Sequence, residues 1–268
     1  MPTGSKLLLA LLVVSASAAA DTKKQSPTEV LVAAIDDEMN WGSHPIATFA
    51  FDDDKASPLD NPDASMLGMG DVELQNPVVG FAADGTEAFV AGDIRQFGDC
   101  GGGSSCGKTL GWLHGAFLVE KGDSGWSPTV WHISQLGKPA ETQTPLARKV
   151  TDAEDAAKLF EATIADPKAF AKTVSDRKDA VLLGSDKGER FVGGAKVRAK
   201  LAAWNLSLQT RGGVQAGVSQ NKTFAWVAAN VDARSISKPK APVTAYRVLA
   251  IYEKVDATWK LVSLSFSL

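Results

Sequence analysis

The chain repeats itself, and a repeat limits the folds open to it more than any composition does. GFAADGTEAFVAGDI (80–94) aligns with GVSQNKTFAWVAANV (217–231), so that Thr86 falls on Thr223, Phe89 on Trp226 and Val90 on Val227. GAFLVEKGDSGW (115–126) aligns with VLAIYEKVDATW (248–259), which sets Glu120-Lys121 on Glu253-Lys254 and Trp126 on Trp259. Ile133-Ser134 then falls on Phe266-Ser267. The spacings agree except for four extra residues in the first copy, which fall in the loop DCGGGSSCG. A chain of 268 residues can hold the two copies as separate small domains. Their boundary is GKPAETQTPLARK (137–149), polar and broken by Pro139 and Pro145. The expected units are 27–136 and 150–268.

The second copy is the more regular one. KTFAWVAANV (222–231), VTAYRVLAIYEK (243–254) and VDATWKLVSLSFSL (255–268) are rich in Val, Tyr, Phe and Trp and alternate as strands do. Asn221-Lys222 and VDAT supply the turns. Helices come before the strands. Thr151 with Glu154 reads as a capping box, and Ala156, Leu159, Phe160 and Ile164 recur at helical spacing. Pro167 opens a second short helix with Phe170 and Val174 on one face. AVLLGS (180–185) reads as a short strand and GGAKVRAKLAAW (193–204) as a third helix. The first copy opens with one amphipathic helix, PTEVLVAAIDDEMNW (27–41), and continues through a Pro- and Asp-rich loop at 52–70.

Three helices followed by a sheet that ends on E-K-x-D-x-x-W resemble the NTF2-like superfamily, and more narrowly its SnoaL-like group. The resemblance covers 151–268, on GERFVGG leading into a helix that ends at Trp204, on YRVLAIYEKVDATWKLV, and on the closing Phe266-Ser267. In the first copy, 27–136, it is carried from Gly80 onward. It implies an α+β fold of two cone domains, each with helices packed on a strongly curved antiparallel sheet around a pocket. The superfamily includes isomerases, dehydratases, cyclases, ligand binders and assembly domains, so the fold does not choose an activity.

Lys6 precedes LLLALLVVSASAAA (7–20), and Asp21 follows. A basic start, an apolar core too short to span comfortably and small residues before a cut read as a secretory signal at 1–20. The expected location is secreted or periplasmic, in a bacterium. In that oxidising setting Cys100 and Cys106, the only cysteines, are expected to be joined. Two thiols without further ligands make a poor metal site. Asp52, Asp53, Asp54, Asp60 and Asp63 lack the glycine and terminal Glu of a calcium loop, so no metal is expected. With 44% apolar residues, 22% charged residues and a net charge of -3 in mixed-sign blocks, the chain reads as globular, with nothing to draw it to nucleic acid. No segment after the signal reads as a membrane span.

GGGSSCGKT (101–109) contains the G-x-x-x-x-G-K-T pattern of a phosphate-binding loop. Such a loop must open a helix, whereas LGWLHGAFLVE, which follows, alternates as a strand and aligns with strand-like TAYRVLAIYE. The motif is expected to span a hairpin, with Lys108 and Thr109 beginning a strand. No ATP and no cofactor is expected.

The superfamily's enzymes place Asp and His in the pocket. The second copy has no histidine, and Ser265 stands where related final strands carry one. The first copy has His132 there, with His114 and Asp93 on neighbouring strands. These three are the candidate acid–base set, because histidine titrates near neutrality; the alternative is two hydrogen-bonded strand histidines. In the second copy Arg247, Tyr246, Trp204 and Arg190 are candidate ligand residues, with Arg247 holding an anion; the alternative is a sheet-edge arginine and a core tryptophan. The expected function is an exported, non-enzymatic module that binds a small apolar or anionic molecule. Or, instead of binding a small molecule, it pairs with another protein, with itself, or between its own two copies. The alternative is an isomerase or hydro-lyase using the first copy's histidines.

Overall fold

The computed structural model describes residues 25–41, 47–49, 71–98, 107–135 and 145–268. The signal-like segment, the Cys100–Cys106 pair, His44, the acidic loop and most of the proposed linker lie outside them.

Helix α1 (Pro27–Trp41) begins the first half. Ser26 and Glu29 cap it reciprocally: the Ser26 amide donates to Glu29 Oε2 at 2.6 Å and the Glu29 amide to Ser26 Oγ at 3.2 Å. Strands β1 (Ala47–Phe49), β2 (Asp71–Phe81), β3 (Glu87–Phe97), β4 (Thr109–Gly122) and β5 (Gly125–Gln135) form a five-stranded sheet in the order β1-β5-β4-β3-β2. All neighbours are antiparallel except β1 on β5.

The second half runs β6 (Lys149–Val150), α2 (Glu154–Thr163), α3 (Pro167–Thr173), β7 (Val181–Leu183), β8 (Arg190–Val192), α4 (Gly194–Ala202), β9 (Leu206–Val218), β10 (Phe224–Ser235), β11 (Thr244–Val255) and β12 (Thr258–Ser267). Its seven-stranded sheet has the order β6-β9-β10-β11-β12-β7-β8. Asp166 caps α3 by accepting from the Lys168 and Ala169 amides, and Pro167 takes the first position, where a missing N–H costs nothing. The expected capping box at Thr151 does not form. Ala153 is the N-cap of α2, without a side-chain bond. The Thr151 amide instead donates to the Ala216 carbonyl, and Glu154 pairs with Arg148.

Alternation sorts each sheet into two buried faces. On the outer face of the first, Ala88, Val90, Ile94, Leu113, Phe117, Val119, Trp131 and Ile133 pack on Leu31, Ile35 and Met39 of α1. On the outer face of the second, Val227, Val231, Val248, Tyr252, Leu264 and Phe266 pack on Ala156, Phe160, Phe170, Val197 and Leu201 of α2, α3 and α4. The inner faces meet each other. Phe89, Ala91, Ala116, Leu118 and Val130 form one core with Leu183, Phe224, Trp226, Ala228, Leu249 and Ile251. The layers are therefore helix, sheet, sheet, helix.

The strongly curved cones expected from the sequence are not found. Both sheets are open, and neither is strongly curled or closed. The physical reason lies in the second buried face. Alanines at the centre of each inner face let two sheets approach and bury apolar area against one another, which requires extended matching surfaces. The helix-side space that a cone would leave as a pocket is filled by packed side chains.

Candidate functional site

The seam between the sheets carries the polar chemistry at one end. Asp93 on β3 faces His114 on β4, and Asn230 on β10 faces Arg247 on β11. His132 on β5, and Ser263, Ser265 and Ser267 on β12, share this inner side by strand parity.

His132 is 0% exposed. Its Nδ1 lies 3.0 Å from Ser265 Oγ and its Nε2 3.1 Å from Ser267 Oγ, so both ring nitrogens are engaged by the other half. Burial, then the nearby Arg247 and His114, push its pKa down to about 3. It is a neutral ring across the physiological range.

His114 is also 0% exposed. Its Nδ1 lies 2.9 Å from the Gly184 carbonyl, which can only accept, so Nδ1 carries the proton. Its Nε2 sits 3.2 Å from Asp93 Oδ1, out of line for a hydrogen bond but within ion-pair range. Asp93 Oδ2 meets Arg190 Nη1 at 3.3 Å. Burial raises the Asp93 pKa, but His114 and then Arg190 outweigh it and hold the carboxyl below its ordinary value. Arg190 also donates to the Asn76 carbonyl. The result is a chain of contacts, Gly184–His114–Asp93–Arg190, which crosses the seam twice.

The structure brings His114 and Asp93 together and sets His132 on the same inner face, as a strand-neighbour reading expects of adjacent positions. It divides the second candidate set. Arg247 turns to the seam, where its Nε donates to Asn230 Oδ1 at 3.1 Å, and Arg190 joins Asp93. Trp204 and Tyr246 face the helices, edge-on to Phe266 with ring centroids 5.2 and 5.9 Å away. Burial raises the Tyr246 pKa, with Glu189 and Asp186 adding to it and a hydrogen bond to Ser185 opposing it.

The opposite end of the seam escaped the sequence reading. Glu87 is buried and accepts from Ser219 Oγ at 2.6 Å and from the Asn221 amide. Asn221 donates to Thr86 Oγ1 at 2.8 Å and to Asp84 Oδ2 at 3.4 Å. Arg177, between α3 and β7, reaches Asp179, Glu253 and the Phe81 carbonyl. Beside them an open groove of about 470 Å³ runs between β5 and β9, lined by Glu120, Thr129, Val130, Val218, Lys222 and Trp226 among others. Burial raises the Glu120 pKa, with Glu87 adding to it, against hydrogen bonds from Thr129 and the Gln220 backbone. Nothing in the sequence flags these groups, because each is an ordinary charged residue until the sheets meet.

The glycine loop leads into a strand: Lys108 precedes β4, which pairs antiparallel with β3. Arg95 ties its end, donating to Thr109 Oγ1 and to the Gly107 carbonyl, each at 2.9 Å. Among the described residues no three His, Cys, Asp or Glu side chains cluster as metal ligands would. No helix among them is long and apolar enough to cross a membrane.

The sequence matches no protein-family model and no curated protein. Solved structures match part of it. An NTF2-like protein from Shewanella oneidensis is 14% identical, with 44% of this chain and 100% of that one covered, at a TM-score of 0.33. One from Pseudomonas putida is 10% identical over 44% and 87%, at 0.34. A third, with a cystatin-like fold, from Novosphingobium aromaticivorans, is 13% identical over 44% and 81%, at 0.35.

Proposed function

We propose that the chain is an exported, non-enzymatic binding module. It consists of a tandem duplication whose two copies pair through their sheets and so mimic a dimer inside one polypeptide. One observation carries the non-enzymatic part. His114 and His132 are fully buried; three of their four ring nitrogens meet groups of the other half, and the fourth, His114 Nε2, faces Asp93. A general base must reach a substrate proton, and neither ring has a path to one.

The registers support the duplication. Glu120 lies opposite Glu87 as Glu253 lies opposite Phe224, and His114 opposite Asp93 as Arg247 opposite Asn230. In both halves an aromatic ring covers a glycine on the next strand, Phe89 on Gly80 and Trp226 on Gly217. The contact pattern supports the dimer mimicry. His132 touches Ser265, its own counterpart in the repeat, and Asp84 touches Asn221, its own counterpart. A residue meets its equivalent only along a two-fold axis.

A native mass spectrum of protein purified from an export compartment tests this reading. The expected species is a monomer beginning near Asp21, with a ligand that leaves on denaturation. A stable homodimer, or a full-length chain with an intact N-terminus, would overturn it. Turnover of an isomerase or hydro-lyase substrate that is abolished in His114→Gln and His132→Gln, with folding intact, would replace it by the enzymatic alternative.

A further inference from the structure

The hairpin that joins β10 to β11 carries charge against the trend of the chain. Residues 233–244 hold Arg234, Lys238 and Lys240 and no Asp or Glu, while the whole chain has a net charge of -3. Elsewhere the arginines are matched. Of the eight in the chain, six are paired with a carboxylate, and Arg247 is buried against Asn230. Arg234 is the remaining one. It is exposed and without an ion pair among the described residues, and so are Lys238 and Lys240. The carboxylates on neighbouring segments are engaged, Asp232 by Arg211 and Asp166 by the amides that it caps.

The same hairpin is fastened in shape. Asn205, three residues past α4, clasps it. Its carbonyl accepts from the Ile236 amide at 3.0 Å and its Oδ1 from the Ser237 amide at 3.1 Å. Its Nδ2 donates to Ser235 Oγ at 3.3 Å and to Ser237 Oγ. Ser235 Oγ also accepts from the Lys238 amide at 3.2 Å, and the Ala241 amide closes a turn on the Lys238 carbonyl at 2.9 Å. The clasp leaves Ile236 54% exposed. A lone exposed isoleucine is ordinary on any surface. This one stands between Arg234 on one side and Lys238 and Lys240 on the other.

We infer that this hairpin tip docks on an anionic lipid surface, with Ile236 entering the headgroup boundary and Arg234, Lys238 and Lys240 pairing with lipid phosphates. A lipid interface is charged outside and apolar just beneath, which matches cations set around one apolar side chain. Long basic side chains lie along the headgroups while the compact isoleucine goes in. An acidic polypeptide or a nucleic acid would use the three charges and leave Ile236 without a role. The inference is independent of how the two halves pair.

The test is co-sedimentation of the full chain with vesicles of equal parts phosphatidylcholine and phosphatidylglycerol, and with vesicles of phosphatidylcholine alone. The parent should bind the mixed vesicles about a hundredfold more tightly than the neutral ones, and added salt should release it. Arg234→Gln, Lys238→Gln and Lys240→Gln should each weaken binding about fivefold. Ile236→Ser should weaken it about tenfold and leave its salt dependence unchanged. Asn205→Ala, which keeps every charge, should weaken it as Ile236→Ser does. All five positions are exposed, so these variants should keep the parent's circular dichroism and thermal melt. Each variant also keeps residues 7–20, so that apolar segment cannot account for a difference between them. Equal binding to neutral vesicles, unchanged affinity in the triple variant R234Q/K238Q/K240Q, or indifference to Ile236→Ser overturns the inference. Tighter binding to heparin or polyglutamate than to the mixed vesicles, lost in the triple variant and kept in Ile236→Ser, replaces lipid by an acidic macromolecule.

Discussion

His132 holds its place by staying uncharged. Its pKa in the folded chain is about 3 against 6.5 for a free histidine, so between those values the unfolded chain takes up a proton that the folded one refuses. Stability should therefore fall as pH drops from about 6.5 towards 3, with a slope of up to about 1.4 kcal/mol per pH unit from this group. In His132→Asn that slope should flatten by one proton, which urea unfolding at a series of pH values would show; parallel pH profiles would refute the buried neutral ring. Asp93 behaves oppositely. Its depressed pKa gives stability above the ordinary carboxylate range that is lost as pH falls through it. Asp93→Asn should cost roughly 1–3 kcal/mol at neutral pH, by leaving Arg190 without its counter-charge, and less in acid. Denaturant melts at pH 7 and pH 3 check both parts. The sequence nominates His114, His132 and Asp93, since histidines and a carboxylate on adjacent strands are few. It does not reveal that they point into a second sheet. Strand parity tells which side a residue takes, not what covers that side.

Among the elements, the glycines under aromatic rings make the sharpest case. A Cβ on Gly80 would stand 2.1 Å from Phe89 Cε1, and one on Gly217 would stand 2.8 Å from Trp226 Nε1. Phe89 is fully buried and packed edge-on against Phe224, so it has nowhere to swing. Gly80→Ala should lower stability by about 1–3 kcal/mol, and Gly217→Ala by less, because the clash is shallower and Trp226 borders an open groove. Equal effects in thermal melts would mean that the two sites do not differ as described. Strands β10, β11 and β12 were legible because they alternate strongly and their turns sit on Lys222 and Asp256, both at positive φ, whereas β9 (Leu206–Val218) was not read as a strand. Helices α1, α3 and α4 were legible from apolar spacing and from Pro167. Strand β2 was not read before Gly80, since polar residues at Glu73, Gln75 and Asn76 and the helix-disfavouring Pro77 give 71–79 no clean period. The capping box at Thr151 was misread because four residues cannot show that Thr151 is already engaged by β9.

At the scale of the whole molecule, the seam should outlast the peptide link between the halves. Its core joins Phe89, Leu118, Phe224, Trp226, Leu249 and Ile251, and His132, His114, Glu87, Arg177 and Arg190 each bond across it. A protease site inserted within 137–144 should therefore yield two fragments that elute together in gel filtration and part only in denaturant. Separation on cleavage would show that the seam is weaker than its buried area implies. Composition gives no warning of this seam, because inner-face alanines and phenylalanines read like any strand core. The contact between His132 and Ser265 carries one more consequence. In an assembly of identical subunits, whatever lies on the symmetry axis must be its own complement, so one gene change alters both sides of the contact together. On the proposed duplication, joining the copies in one chain lifts that bond: a histidine can face a serine and an aspartate an asparagine. Each side of such a contact can then change by mutation without its counterpart, which a homodimer could never allow.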